Sequence, residues 1–231
     1  NIKVPFATGE WEPFTSEKLP NYGAATELVS AICKAADITP VYGFYPWARC
    51  EKTVDTGDAF ASFPYAITVE RKALFNYSEP LFHSYNVVFY HTKNPKTAKG
   101  VKFEKISDLK GYNIGILAGS FVATELEKNG IKYETTTTLD LSIKKLQMGR
   151  VDFIIDEQAV TYDTIKKLFP KEMDQFKSLP KPFGNVMANA LIVSKKYPNA
   201  NEILARFNKG LASIKKSGEY DKILKKYNMT K

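Results

Sequence analysis

The stretch YNIGILAGSFVATELEKNGIKYETTTTLDLSIKKLQMGRVDFIID, residues 112–156, alternates short apolar runs with segments of helical spacing. Short apolar runs bounded by turn residues predict strands over residues 112–119, 131–137 and 150–156. The two helices between them are expected to end at Gly130 and Gly149, and a further helix is expected to reach about residue 169. This alternation predicts an α/β unit with parallel strands.

The N-terminal part of the chain shows the same order. Residues 1–8 and 39–45 are strand-like, and residues 47–57 predict a short helix that ends at Gly57. Between the strands, apolar residues with the i, i+3, i+4, i+7 spacing of an amphipathic helix occur at Ala25, Leu28, Val29, Ile32 and Ala36. After a strand near residues 186–196, two more helices are predicted from residue 199 onward. The prediction is an α/β protein with two lobes.

The connectivity of the chain between the two lobes follows from where each α/β pattern begins and ends. We expect lobe 1 to comprise residues 1–90 and 186–231, and lobe 2 to comprise residues 91–185. The chain would then cross between the lobes twice, near residues 84–93 and 180–189, which would form a two-strand hinge. Ligand sites favour clefts between such lobes.

Composition excludes several classes of protein. The 231 residues carry a net charge of +8, but the lysines are spread along the chain without an arginine-rich run, so we expect no nucleic-acid partner. No apolar stretch approaches the ~20 residues that cross a bilayer. The first residues lack the pattern of a signal peptide, so we expect a mature form from which an export signal was removed.

The chain has little material for catalysis or metal binding. It lacks the GxSxG, Walker and GxGxxG motifs, and His83 and His91 have no Cys, Asp or Glu at ligand spacing. We therefore expect no catalytic residue, no metal and no cofactor. Cys33 and Cys50 lie 17 positions apart, and the sequence leaves open whether they form a disulfide or remain two buried thiols.

Three places have the chemistry to bind a small zwitterion. An arginine fork such as that of Arg71 grips a carboxylate with two parallel hydrogen bonds, although a surface arginine paired with Glu70 or Glu79 is the alternative. The turn at Ser120 and Phe121 offers free N–H groups at a helix start, or is an ordinary capped turn. Asp156 follows a strand and suits an ammonium group, unless it caps the next helix.

Two further features bear on these candidates. Asp152, four residues before Asp156 in the same strand, is the competing carboxylate. The first loop carries Trp11 and Phe14 directly after a strand, where aromatic rings form a lid over a ligand or pack on their own lobe.

Several short motifs, in this order and spacing, resemble the amino-acid-binding family of periplasmic solute-binding proteins, family 3. The resemblance covers nearly the whole chain. It rests on the aromatic-x-Pro-Phe loop at residues 11–14, the T-x-x-R motif at 68–71, the S-x-P motif at 78–80, the small-residue turn at 118–120, the L-x-x-G-R-x-D-x-x-x-D block at 146–156 and the S-G-x-Y motif at 217–220.

The resemblance implies the two-lobed type II periplasmic-binding fold and a set of roles. Arg71 would hold the ligand α-carboxylate with the N–H groups of Ser120 and Phe121. Ala66, and Thr68 at the start of the T-x-x-R motif, are also expected among the ligand-binding residues. Asp156 would hold the α-ammonium, assisted by a main-chain carbonyl near Pro64. Trp11 would stack on the ligand side chain, and Trp47 would line the opposite wall.

The sequence departs from the family pattern at two positions. Ala66 stands where well-known members carry a hydroxyl that touches the carboxylate, and Thr8 stands where some members with cationic ligands carry an acid. Both departures disfavour lysine or arginine as the ligand. Glu10 is close enough in sequence to reach the side-chain pocket, so a cationic ligand is not excluded.

The resemblance implies a monomeric, non-enzymatic, extracytoplasmic receptor that delivers a polar α-amino acid to the membrane permease of an ABC importer. An alternative is the ligand-sensing extracellular domain of a membrane signalling protein of the histidine kinase type. A third class is an enzyme on this fold, which would need a proton-transfer group in the cleft.

Overall fold

The structure, a computed structural model, describes residues 2–120 and 122–229. The strands are β1 (Ile2–Thr8), β2 (Ile38–Phe44), β3 (Ala61–Ala66), β4 (Asn76–Tyr77), β5 (Phe82–His91), β6 (Ile114–Leu117), β7 (Glu134–Thr136), β8 (Phe153–Glu157), β9 (Phe176–Ser178) and β10 (Phe183–Val193). The helices are α1 (Ala24–Ala35), α2 (Trp47–Thr56), α3 (Val69–Leu74), α4 (Val122–Lys128), α5 (Leu139–Gln147), α6 (Gln158–Leu168), α7 (Ala200–Ser217) and α8 (Glu219–Lys226).

The chain divides into two compact units. Unit 1 comprises Asn1–Ser84 and Met187–Lys231, and unit 2 comprises Tyr85–Val186. The chain passes from one unit to the other within β5 and again within β10. Each unit contains strands and helices in alternation, so each is an α/β unit.

The sheet of unit 1 is parallel at its centre. Strand β1 lies between β2 and β3 and is parallel to both, with Ile2 opposite Ile38 and Thr8 opposite Phe44. Strand β10 joins the other side of β3 in the antiparallel sense, and β4 pairs with β10. Because β1, β2 and β3 run in the same direction, their carboxyl ends meet at one edge of the sheet.

Helices α1 and α7 pack closely in unit 1 because α7 has no side chain at Gly210. A Cβ atom at this position would lie 2.6 Å from the carbonyl oxygen of Ile32. The apolar face of α1 predicted from the sequence is buried from Ala25 to Ile32. On β1, the buried ring of Phe6 meets that of Phe60 edge-on, with 5.5 Å between their centres.

The sheet of unit 2 has the same plan. Strand β6 lies between β7 and β8 and is parallel to both, whereas β5 is antiparallel to β8 and to β9. Helices α5 and α6 bury Ile143, Leu146 and Ile165 in a core that also contains Ile154 of β8. The carboxyl ends of β6 and β8 lie at the same edge of this sheet.

Three findings go beyond the sequence-based expectations. Arg71 lies in the six-residue helix α3, where the sequence indicated no helix. Cys33 and Cys50 are free, buried thiols, which settles the alternative left open above in favour of thiols. Among the described residues, no helix combines the length and the apolar character needed to span a membrane.

Candidate functional site

A cavity of about 450 Å³ lies in unit 1 at the carboxyl ends of β1, β2 and β3. Open α/β sheets bind ligands at this edge, and the volume is in the range of small-molecule sites. The segments that follow β1, β2 and β3 contribute lining residues, and the remaining lining residues lie on β3, β5 and β10. The cavity is lined by Glu10, Trp11, Trp47, Glu51, Pro64, Tyr65, Ala66, Arg71, Ser84, Met187 and Asn189.

The loop after β1 holds Trp11 through its own backbone. The N–H of Trp11 donates to the carbonyl of Thr15 at 2.7 Å, and the Trp11 carbonyl accepts from the N–H of Phe14 at 2.8 Å. The Trp11 ring lies 4.4 Å from that of Phe14, which in turn stacks on Phe82 at 5.1 Å. The indole is therefore backed by a buried aromatic pair and presents a fixed surface to the cavity.

Trp47, the first residue of α2, forms a second aromatic wall. Its indole meets the ring of Tyr65 edge-on, with 5.5 Å between the centres and 87° between the planes. It also covers Gly9, where a Cβ atom would lie 2.5 Å from Trp47 Cε2. The absence of a side chain at residue 9 thus leaves the space that the indole occupies.

Arg71 is positioned by the start of α3. Thr68 is the N-cap residue of this helix, and its hydroxyl accepts a hydrogen bond from the backbone N–H of Arg71 at 3.3 Å. The guanidinium lies over the ring of Tyr65, with Cζ 5.0 Å from the ring centre. Thr68 is not among the residues that line the cavity, so it acts on the cavity through the backbone of α3.

Glu51 of α2 is the ionic partner of Arg71. Its Oε1 accepts hydrogen bonds from Nε at 3.3 Å and Nη2 at 3.0 Å of the guanidinium. Both side chains are about one-third exposed, so each stays accessible to a ligand in the cavity. Sequence reasoning named Glu70 and Glu79 as partners and missed Glu51, because the contact joins two helices twenty residues apart.

Charge in this cavity is uneven. Arg71 shares the cavity lining with two acids, Glu51 and Glu10. The Glu10 carboxylate accepts a hydrogen bond from the backbone N–H of Glu17 at 3.0 Å, and this bond lowers the pKa of Glu10. Glu10 therefore stays ionised at neutral pH.

The wall contributed by β3, β5 and β10 includes polar side chains. Asn189 donates from Nδ2 to the hydroxyl of Ser84 at 2.8 Å and to the carbonyl of Met187 at 3.2 Å. Pro64 and Ala66 line the cavity as predicted positions, and the Ala66 carbonyl accepts a hydrogen bond from the hydroxyl of Tyr77 at 3.1 Å. Ser84, Met187 and Asn189 were not predicted, because their positions depend on contacts between distant strands. The pairing of β10 with β3 sets Asn189 opposite Ala66, and the hydrogen bond from Asn189 joins Ser84 of β5 to them.

The remaining predicted site residues belong to unit 2. Ser120 follows β6, where its N–H donates to the carbonyl of Leu117 at 3.1 Å and its hydroxyl accepts from the N–H of Val122 at 3.3 Å. The Ser120 N–H is therefore not free, contrary to the expectation from the sequence, and its predicted role requires it to release or share this hydrogen bond. Phe121 lies outside the described residues. The roles predicted for Ser120 and Phe121 stay predictions.

The two carboxylates of the β8 segment differ in their surroundings. Asp152 is buried and accepts hydrogen bonds from the N–H of Asn113 at 2.9 Å and the side chain of Asn94 at 2.9 Å. Asp156 accepts from the N–H of Glu157 at 2.7 Å. Because Asp152 is occupied by structural hydrogen bonds, Asp156 is the better candidate for binding a cation.

Glu157 rather than Asp156 caps the helix that follows. Its carboxylate accepts from the N–H of Val160 at 2.8 Å at the start of α6. Burial raises the pKa of Asp156, and it raises the pKa of Glu157 to about 7. The N-cap alternative for Asp156 is therefore wrong, which leaves this carboxylate available.

Unit 2 also has a cavity of about 290 Å³ lined by residues that include Tyr112, Lys132 and Arg150. These residues precede β6, β7 and β8, so they lie at the amino ends of the parallel strands. That edge is opposite to the one where such sheets bind ligands. Within residues 2–120 and 122–229, no three His, Cys, Asp or Glu side chains form a group that could hold a metal ion.

Solved structures share this fold across nearly the whole chain. The L-cystine solute receptor of Neisseria gonorrhoeae in its unliganded open conformation has a TM-score of 0.80 at 20% identity, with 98% of this chain and 92% of that chain covered. Substrate-binding domain 2 of GlnP from Lactococcus lactis has a TM-score of 0.77 at 22% identity, with 97% and 94% covered. A histidine kinase sensor domain with similarity to periplasmic binding proteins has a TM-score of 0.64 at 17% identity, with 99% and 97% covered. The type II periplasmic-binding fold predicted from the sequence is confirmed.

Sequence comparison identifies the family. A probable histidine-binding protein of Neisseria gonorrhoeae is 28% identical over 96% of this chain and 81% of its own length. The probable amino-acid-binding protein YxeM of Bacillus subtilis is 24% identical over 98% of this chain and 84% of its own length. The model of the bacterial extracellular solute-binding proteins, family 3, matches residues 6–230, which confirms the resemblance found in the motifs. The chain belongs to family 3 of the bacterial extracellular solute-binding proteins.

Proposed function

We propose that the protein is a non-enzymatic extracytoplasmic receptor that binds a polar α-amino acid and delivers it to the permease of an ABC importer. In this proposal Arg71 holds the ligand α-carboxylate, and Trp11 and Trp47 contact the ligand side chain. Asp156 holds the α-ammonium, with the N–H groups of Ser120 and Phe121 as further donors to the carboxylate. The protein acts as a monomer.

The observation that carries the proposal is the position of Arg71. Its guanidinium lines a cavity at the carboxyl ends of three parallel strands, between residues that follow each of them. A planar fork of N–H donors matches a carboxylate, and a guanidinium that is about one-third exposed can form such a pair with a ligand. Two indoles and the ring of Tyr65 supply the apolar surface that a side chain needs.

The relatives support the choice of an amino acid as ligand. The names of two of them specify histidine binding and amino-acid binding, and the structural neighbours include a receptor for L-cystine. The GlnP domain is named as a substrate-binding domain. The family description as extracellular supports the proposed location.

A sensor domain is the second candidate, because the histidine kinase sensor domain shares the fold over 99% of this chain. The two functions predict different neighbours in the gene. A transmembrane helix and a kinase domain encoded directly downstream would exclude a free receptor subunit, whereas an adjacent permease gene would support one.

A thermal-shift screen of the twenty amino acids tests the proposal. A ligand that binds only the folded state raises the melting temperature in proportion to the logarithm of its concentration above Kd. We expect at least one polar amino acid to raise it, and we expect Arg71→Ala and Asp156→Ala each to abolish the rise while the ligand-free protein still melts cooperatively. The proposal fails if no amino acid raises the melting temperature while another class of solute does.

A further inference from the structure

The ion pair between Glu51 and Arg71 bears on which amino acids the cavity accepts. Glu51 Oε1 takes both Nε and Nη2 of the guanidinium, which together form one of its two bidentate edges. A ligand carboxylate that binds this edge must displace Glu51. A ligand carboxylate that binds the other edge comes to lie beside Glu51.

Both arrangements leave a negative charge in the cavity that is not fully compensated. In the first, the Glu51 carboxylate, which is only about one-third exposed, loses its cation, and in the second, two carboxylates share one guanidinium. Like charges in contact oppose each other, and a carboxylate without a partner in a partly desolvated site is unfavourable. A positive charge supplied by the ligand relieves both.

The charges of the cavity point the same way. Glu10 and Glu51 are acidic and Arg71 is basic, so the residues that line the cavity carry one excess negative charge. A zwitterion leaves this excess unchanged, and an acidic amino acid increases it. An amino acid with one cationic side chain cancels it.

We propose that Glu51 is a specificity-determining residue that makes the cavity select α-amino acids with a cationic side chain. The inference rests on the proposed role of Arg71 as the group that holds the ligand carboxylate. It runs against the expectation from Ala66 and Thr8, and Glu51 supplies from α2 the acid that is absent at residue 8. Trp11 and Trp47 add faces on which a cation is favourable.

Calorimetric titration with two matched ligand pairs tests this inference. L-arginine and L-citrulline differ in the charge of an otherwise similar side chain, as do L-lysine and L-norleucine. We expect the wild type to prefer the cationic member of at least one pair by about tenfold or more. In Glu51→Gln the affinity for the cationic member should fall roughly fivefold, and the affinity for the neutral member should rise roughly fivefold. These factors are those expected for one partly exposed ion pair.

Opposite changes in the affinities for the cationic and the neutral ligand distinguish an effect on specificity from a structural effect. A variant that merely distorts the cavity would weaken both members of a pair. Glu70→Gln is the matched control, because Glu70 precedes Arg71 on α3 and carries the same charge but does not line the cavity. We expect it to leave both affinities within twofold of the wild type.

A second variant covers the case in which Glu51→Gln does not fold. Glu51→Asp keeps the negative charge on a shorter side chain, so the preference for the cationic ligand should persist. The inference is overturned if Glu51→Gln changes both members of a pair in the same direction, if Glu51→Asp loses the preference for the cationic member, or if the wild type prefers the cationic member of neither pair. In those cases the proposed receptor function stands, whereas it fails with the inference if no α-amino acid binds at all.

Discussion

Replacing Gly9 with alanine is expected to displace the Trp47 indole and to weaken both folding and ligand binding. The added Cβ atom would lie 2.5 Å from Cε2, 2.7 Å from Cδ2 and 2.9 Å from Cζ2 of that ring. Since carbon atoms in contact are separated by about 3.5 Å or more, the ring must move by about 1 Å. The edge contact of Trp47 with Tyr65 limits how freely the ring can move.

The cost of this displacement follows from overpacking. One extra methyl group in a packed site costs about 1–3 kcal/mol. For a chain of this size each kcal/mol shifts the melting temperature by about 2–4 °C. We therefore expect the Gly9→Ala variant to melt about 5 °C below the wild type, with weaker binding of the amino acid that the screen identifies.

Differential scanning fluorimetry measures the melting temperature, and tryptophan emission reports on the ring itself. Trp11 and Trp47 are the two tryptophans of the chain, so a Trp11→Phe background isolates the emission of Trp47. Gly115→Ala is the matched control, because its Cβ atom would have ordinary contacts of 3.5 Å with Ile154 and Val151. The reasoning is refuted if Gly9→Ala leaves the melting temperature and the Trp47 emission as unchanged as the control does.

Three further predictions concern the groups around the two candidate carboxylates and the arginine. Thr68→Ala removes the N-cap of α3 and should lower the unfolding free energy by about 1 kcal/mol, as measured by denaturant titration. It should also weaken ligand binding through Arg71, as measured by calorimetry. Burial raises the pKa of Glu157 to about 7 in the folded state, above the ~4.3 of an unfolded chain. Between these two values the folded state binds the additional proton, so the unfolding free energy should fall as pH rises from about 4 to 7. Glu157→Gln should flatten this slope. Burial alone would raise the pKa of Asp152, but hydrogen bonds from Asn113 and Asn94 outweigh it and lower that pKa. The contribution of the Asp152 carboxylate to the unfolding free energy should therefore be lost as pH falls below about 4. Asp152→Ala should cost about 3 kcal/mol of unfolding free energy at neutral pH.

The parts of the site that sequence could predict are those encoded by local pattern. Trp11 and Arg71 stand in short motifs at fixed distances from a strand, and the structure places both at the cavity. Their position follows from parallel strand direction, since the residues after β1 and β3 emerge at the same edge. The same reasoning accounts for Trp47 after β2.

The parts that could not be predicted depend on contacts between distant segments. Glu51 meets Arg71 because α2 and α3 follow β2 and β3, which lie on either side of β1 in one sheet. The local sequence of neither helix indicates this contact. Asn189 enters the cavity through the antiparallel pairing of β10 with β3. The six residues of α3 are too short a run for a periodic pattern to indicate a helix.

The choice between Asp152 and Asp156 shows the same limit of local pattern. Both are aspartates of one strand segment, four positions apart. Asp152 is distinguished by hydrogen bonds from Asn94 and Asn113, which lie 58 and 39 positions away. Which of two carboxylates is satisfied is therefore a property of the tertiary structure.

The central claim, that Arg71 binds the ligand α-carboxylate, is tested most directly by comparing the bound amino acid with its α-carboxamide. The amide keeps the side chain and the ammonium but lacks the negative charge that the guanidinium grips. Calorimetry should give at least about 100-fold weaker binding of the amide to the wild type, as for the loss of a charge-assisted bidentate contact of about 3 kcal/mol. In Arg71→Ala the acid and the amide should bind equally weakly. If Arg71→Ala still discriminates between the acid and the amide as the wild type does, another group binds the carboxylate and the claim is contradicted.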